Sequence, residues 1–196
     1  MKIFYATKNK FKIKNMKNRI KDLDIELFTP YDMDINISVN EDGDNVIQNA
    51  KIKAYAYYEK VNMPVIAGDS SLYVDKFENQ PGLFVKRVNG NYLGDDDLEN
   101  YYIEQLNKVG GFSKAHYVTG LVLISNNCCK SIEIREDDFL FTATKYDGVR
   151  SDDPLGRLEY DLELNKYFCC LNDEEINSRG YIFDIKVKEF IKNNLF

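Results

Sequence analysis

An apolar run, Pro64-Val65-Ile66-Ala67-Gly68, leads into Asp69 and then into Ser70-Ser71-Leu72-Tyr73-Val74-Asp75. In open α/β sheets ligands gather beyond the carboxyl ends of strands, so a strand delivering Asp69 at its tip is a place for chemistry. An ionised carboxylate there could hold a divalent cation, or orient a water and take its proton. An ordinary turn aspartate is the competing reading. A second group, Thr7-Lys8-Asn9-Lys10-Phe11-Lys12, stands where a first strand gives way to a helix. Unpaired amides at a helix N-terminus, with Lys12 on the first turns, make a phosphate cradle; the glycines of a P-loop are missing, and simple capping by Thr7 or Asn9 is the alternative.

A third group lies between Glu41 and Ala54, with Gln48, Asn49, Lys51 and Lys53. Asn49 and Lys53 are four residues apart and share one helical face. A loop carboxylate at Glu41 could join Asp69 around Mg2+, which takes one or two protein carboxylates and completes its shell with phosphate oxygens and water. In Asn79-Gln80-Pro81-Gly82-Leu83-Phe84-Val85-Lys86-Arg87 a tight turn brings a basic pair back toward the region following Asp69, suited to clamping a leaving pyrophosphate or simply to solvent.

The elements that must position these groups follow from periodicity. Lys2 to Ala6 reads as a strand, and Ile13, Met16, Ile20 and Leu23 recur at helical spacing after Lys10. A helix start at Asp44-Asn45 precedes Val46, Ala50, Ala54, Tyr57, Tyr58 and Val61, and this helix feeds the Val65 strand. Asp95-Asp96-Asp97 opens a helix with Leu98, Tyr101, Tyr102 and Leu106 on its apolar face. Three strands, His116 to Ser125, Ser131 to Glu136 and Phe139 to Tyr146, are expected as an antiparallel meander. Asp147 to Gly156 reads as loop, and a last helix runs from Asp184 to Asn193. The class is α/β, a mixed central β-sheet flanked by helices.

With 196 residues, 44% hydrophobic and 30% charged, the chain is expected to fold as one domain, 1–196. A net charge of −6 argues against polymeric nucleic acid as a partner. Neither a signal peptide nor a membrane span is read, so the expected location is cytoplasmic. Cys128-Cys129 and Cys169-Cys170 are adjacent pairs, poor metal clips, expected as buried free thiols with a redox or disulfide role as the alternative. His116, the single histidine, is expected to be structural.

Taken in order, these motifs resemble those of the inosine triphosphate pyrophosphatase family. Its Thr/Ser-x-Asn-x-x-Lys is similar to Thr7, Asn9 and Lys12; its Glu-rich Asn-Ala-x-x-Lys-Ala helix is similar to Glu41 with Asn49-Ala50-Lys51-Ile52-Lys53-Ala54. Its Asp-Asp-Ser-Gly-Leu-x-Val-Asp segment resembles Gly68 to Asp75, and its Pro-Gly turn with a downstream base resembles Pro81-Gly82 with Lys86 and Arg87. Tyr160-Asp161 and Asn177-Ser178-Arg179-Gly180 resemble the family's base-reading motifs more thinly, with Leu162 in place of Pro, Asp173 in place of Lys and Ser178 in place of His.

The resemblance implies two lobes around a substrate cleft, a homodimer, and hydrolysis of nucleoside triphosphates, non-canonical purines such as ITP, dITP or XTP, to monophosphate and pyrophosphate. It implies Asp69 and Lys86 as catalytic, Glu41 and Asp69 as Mg2+ ligands, and Thr7, Asn9, Lys12, Asn49, Lys53 and Ser70 as substrate-binding. Tyr160, Asp161, Ser178 and Arg179 would close on the base. A Maf-like pyrophosphatase with another base preference, or a nucleotide-binding module without turnover, are the alternatives, and the departures leave the base open.

Overall fold

The computed structural model describes residues 1–88, 90–148 and 153–195. Its strands and helices in chain order are β1 (Lys2–Tyr5), α1 (Lys10–Arg19), β2 (Glu26–Phe28), α2 (Val46–Tyr58), β3 (Val65–Val74), β4 (Gln80–Gly82), β5 (Arg87–Val88), β6 (Asn91–Tyr92), α3 (Asp95–Lys108), β7 (Phe112–Ser125), β8 (Cys128–Arg135), β9 (Phe139–Thr142), β10 (Glu159–Asp161), β11 (Lys166–Tyr167), α4 (Asp173–Arg179) and α5 (Ile182–Leu195). The chain divides into two compact units, one of residues 1–70, 118–135 and 182–196, the other of residues 71–117 and 136–181. Among the described residues no helix is long and apolar enough to cross a membrane.

In the first unit the strands lie in the order β8, β7, β3, β1, β2, with β1 parallel to both β2 and β3. Alternation along the strands sends side chains to two faces. Ile3, Tyr5, Ile66, Leu121 and Leu123 pack with Met16 and Ile20 from the α1 segment and Val187, Phe190 and Ile191 from α5. Phe4, Val65, Ala67, Val122 and Ile124 pack on the other face with Ala50, Ala54 and Tyr57 of α2. Burial on both faces explains the near-continuous apolar runs of these strands. Gly120 allows a close approach of helix to strand: a Cβ there would lie 2.7 Å from the Val46 carbonyl carbon and 2.8 Å from the Ile47 nitrogen, so α2 rests its first turn directly on β7.

In the second unit Leu72, Val74, Leu98, Tyr102, Leu106, Phe139 and Phe141 form the core. Gln80–Gly82 pair antiparallel with Leu72–Val74, through a cis Gln80-Pro81 bond. β9 pairs with Phe112–Ala115 of β7, and β10 and β11 extend that ladder.

Several expectations are corrected. Asp69 does not end its strand; it sits in the middle of β3, because Ser70 and Ser71 stay extended and Leu72 to Val74 gain a partner in β4. The three later strands are no meander: β8 and β9 both pair with β7, whose 14 residues leave Phe112–Ala115 for β9 and Val118–Ser125 for β8. The polar stretch Asp173–Arg179, assigned no element from its periodicity, is a helix closed by a capping box between Asn172 and Glu175 and by Gly180 in the left-handed region at φ 64°. The helix expected from Asp184 starts at Ile182, and α1 ends at Arg19, before Leu23. In the loop expected from Asp147 to Gly156, residues 149–152 lie outside the described residues. The cysteines are free, but Cys128 is exposed and the other three are half-buried, so none is a core thiol. His116 stacks on Tyr73 at 5.4 Å, as a structural residue would.

Candidate active site

The first unit gathers most of the expected phosphate and metal residues. β1 ends at Tyr5, so Asp69 lies beyond the last β1–β3 pair, Tyr5 with Ile66, although its own strand continues. Asp69 shares its face of β3 with Val65 and Ala67 and so points toward α2. Asn45 caps that helix, its side chain accepting from the Gln48 amide at 3.0 Å. One turn in, Asn49 donates through Nδ2 to Asp69 Oδ2 at 3.1 Å, while its Oδ1 accepts the Gly43 amide at 2.8 Å. One turn further, the Lys53 ammonium lies 2.8 Å from Glu41 Oε2 and 3.6 Å from Asp69 Oδ1, and donates to the Gly68 carbonyl at 3.3 Å. The two carboxylates thus converge on one cation. Asn49, expected to touch substrate, is placed as the residue that ties Asp69 to the Glu41 loop.

Ser70 points to the opposite face. Its Oγ accepts from Lys12 Nζ at 3.3 Å and shares a 2.8 Å hydrogen bond with Thr119 Oγ1 of β7. Lys12 stands on the first turn of α1, which Asn9 caps by accepting the Lys12 amide at 3.1 Å; Thr7 Oγ1 accepts the Asn9 amide at 3.2 Å. Basic residue, hydroxyls and helix amides therefore meet where β1 ends. Thr119 was not singled out in the sequence, where it stands as one polar residue in an apolar strand; Gly43, whose Cβ would lie 2.9 Å from Asn49 Oδ1, was likewise missed.

The second unit carries the remaining residues. Lys86 pairs with Asp95, at the first position of α3, at 2.8 Å. Asp161 is buried and its carboxylate accepts three hydrogen bonds: Oδ1 accepts the amides of Glu163 and Leu164 at 2.8 and 2.7 Å, and Oδ2 accepts the Tyr181 hydroxyl at 2.6 Å. Burial raises the Asp161 carboxyl, but the Tyr181 and amide hydrogen bonds, with the Arg179 guanidinium nearby, outweigh it and hold the group below its usual range. Arg179 sits among Glu163 at 2.8 Å, Asp161 at 3.5 Å and Asp137 at 3.7 Å, over the Tyr181 ring. Among the described residues its buried Nε has no hydrogen-bond partner. Ser178 donates to the Glu175 carbonyl of its own helix at 3.0 Å, and Tyr160 meets Tyr167 edge-on at 5.2 Å. Tyr181, Asp137 and Glu163 complete this cluster and were not foreseen, though Tyr181 follows Arg179-Gly180 directly.

Fold and site together define an α/β protein whose first unit brings two carboxylates, Glu41 and Asp69, onto Lys53 and joins Lys12 to the hydroxyls of Ser70 and Thr119. A sequence profile of the Ham1 family matches residues 3–148, and the chain belongs to that family. A dITP/XTP pyrophosphatase of Thermoanaerobacter sp. (strain X514) is 29% identical over 205 residues, spanning 100% of this chain and 98% of that protein. Among solved structures, a HAM1 protein from Coxiella burnetii superposes with a TM-score of 0.76 at 19% identity, over 98% of this chain and 99% of that one. The Staphylococcus aureus Ham1 protein superposes with a TM-score of 0.72 at 22% identity, again over 98% and 99% of the two chains.

Proposed function

We propose that this protein hydrolyses non-canonical purine nucleoside triphosphates, of the dITP and XTP kind, to the monophosphate and pyrophosphate. The observation that carries the reading is the convergence of Glu41 and Asp69 on Lys53 at one face of β3, with the Lys12–Ser70–Thr119 chain built on the next residue at the other face. Family membership and the name of the Thermoanaerobacter relative support it.

In this reading water attacks the α-phosphorus and the bond to the bridging oxygen of the β-phosphate breaks, so that pyrophosphate leaves. Asp69 orients the water and takes its proton, held for that task by Asn49. Lys12, Lys53 and Ser70, with Thr7, Asn9 and the amides of α1, bind triphosphate oxygens. Lys86 turns from Asp95 to the leaving pyrophosphate. Tyr160, Arg179 and the Ser178 region close on the base, with Asp161 positioning Arg179 and Tyr181. Glu41 and Asp69 fit a hard divalent cation such as Mg2+: they already flank an ammonium, and two carboxylates suffice when phosphate oxygens complete the shell. Among the described residues no cluster of three or more His, Cys, Asp or Glu side chains offers a metal cage. Bound there, Mg2+ would neutralise charge on the departing pyrophosphate.

We propose a cytoplasmic homodimer, from the family resemblance. Pyrophosphate release from a panel of dITP, XTP, ITP and the canonical triphosphates, with Mg2+ and with Mn2+, tests the reaction. Release from the non-canonical purines is expected. Release from none of them would overturn it, and nucleotide binding without release would identify a binding module.

A further inference from the structure

The Lys53 ammonium has three N–H donors, and three acceptors face it: Glu41 Oε2 at 2.8 Å, the Gly68 carbonyl at 3.3 Å and Asp69 Oδ1 at 3.6 Å. The side chain is only 13% exposed, and the carboxylates of Glu41 and Asp69 are 28% and 16% exposed. Lys53 thus holds the space between the two carboxylates that a divalent cation would take. Two carboxylates and one ammonium leave a local charge of −1. Adding a divalent cation beside Lys53 would set three positive charges against two negative ones at short range, where water screens poorly. A triphosphate changes the balance by giving Lys53 a second anion. The lysine stem is long and flexible, so its ammonium can pass from carboxylate to phosphate while α2 stays seated on β7.

We infer that Lys53 and a divalent cation compete for the Glu41–Asp69 pair, so that metal capture is coupled to the arrival of the phosphate chain that draws Lys53 away. This rests on the proposed reaction only in taking the incoming anion to be a phosphate chain. Coupling of this kind is reciprocal: what the phosphate does for metal affinity, the metal does for phosphate affinity. Lys53 is then a gate on the metal site as well as a phosphate ligand.

The test is Mn2+ titration of the nucleotide-free protein, followed by calorimetry and by the EPR signal of free Mn2+. Lys53→Met and Lys53→Gln are expected to bind Mn2+ roughly tenfold or more tightly than wild type, within the usual range of such couplings. Lys53→Arg keeps the charge and is expected to stay near wild type. Adding Glu41→Gln to Lys53→Met should abolish the gain, which places it at this site. Inorganic pyrophosphate should tighten Mn2+ binding more in wild type than in Lys53→Met. Neutral variants that fold, as judged by circular dichroism, yet bind Mn2+ no more tightly than wild type would overturn the coupling. No arm measures turnover, so that result would leave the hydrolysis standing, and a failed hydrolysis assay would leave the Mn2+ result standing.

Discussion

Asp69 divides its two oxygens between donors one turn apart on α2, Asn49 on Oδ2 and Lys53 on Oδ1. Such a carboxylate is aimed, which suits the role proposed for it, meeting a water in line with a phosphorus. Asp69→Asn keeps the shape and the contact with Lys53 but removes the negative charge and the proton acceptor. The expected result is a loss of kcat by roughly 10²–10⁴-fold, the usual contribution of a positioned base, with a folded protein by circular dichroism. Full activity in that variant would remove Asp69 from the chemistry. At the other end of the chain Asp161 shows how a residue of the same type serves a different purpose. Its oxygens accept from Glu163, Leu164 and Tyr181, so it builds the ground on which Arg179 stands.

Among the elements, α2 and β7 do the positioning. The helix was legible: Asn45 caps it, and the spacing of Val46, Ala50, Ala54 and Tyr57 defined its buried face. Its partner was less so, because nothing in the sequence marks Gly120 as a contact with a helix 74 residues away in number from Val46. Gly120→Ala puts a methyl group against backbone that cannot yield without lifting α2. We expect a destabilisation of about 1–3 kcal/mol, the usual range for overpacking, read as a lowered denaturant midpoint together with weaker Mn2+ or nucleotide binding. The β3 strand illustrates the opposite failure. Ser70-Ser71 looks like a turn after an apolar run, and only the returning segment Gln80–Gly82 reveals that the strand continues. α4 was hidden by its polarity, although Asn172 and Glu175 spell its capping box. Local motifs thus marked Asn49, Lys53, Asp69 and Lys12, which the fold brings into contact with Asp69 or Ser70, while the long-range partners, Thr119 and Gly120, needed the fold.

For the whole molecule the buried ionisable groups set opposite pH trends. Glu159 is buried and accepts the Tyr117 hydroxyl at 2.6 Å. Burial first, then the charges of Asp153 and Glu136, raise its carboxyl well above the usual range against the Tyr117 hydrogen bond. The folded state therefore binds this proton more tightly than the unfolded chain. The stability so gained is full below the ordinary glutamate range and is lost as pH rises through the raised value. Asp161 runs the other way: its lowered carboxyl contributes above the ordinary aspartate range and stops contributing as pH falls through its folded value. Urea midpoints measured against pH should therefore fall on the alkaline side of the glutamate range less steeply in Glu159→Gln than in wild type. Equal slopes would show that Glu159 is not the group responsible.

The β7–β8 hairpin turns on Asn126 and Asn127, both at positive φ, 50° and 60°, and its ladder runs from Ser125 opposite Cys128 to Val118 opposite Arg135. A two-residue turn of that twist acts as a ruler for all the rungs behind it. One residue more would slide β8 by a step, bringing Ser131 and Glu133 round to the face where Ile132 and Ile134 now meet the core, and would leave those isoleucines on a strand facing water. Two exposed asparagines at a loop tip thereby guard the solubility of the protein, since the strand they measure out would otherwise become an adhesive edge.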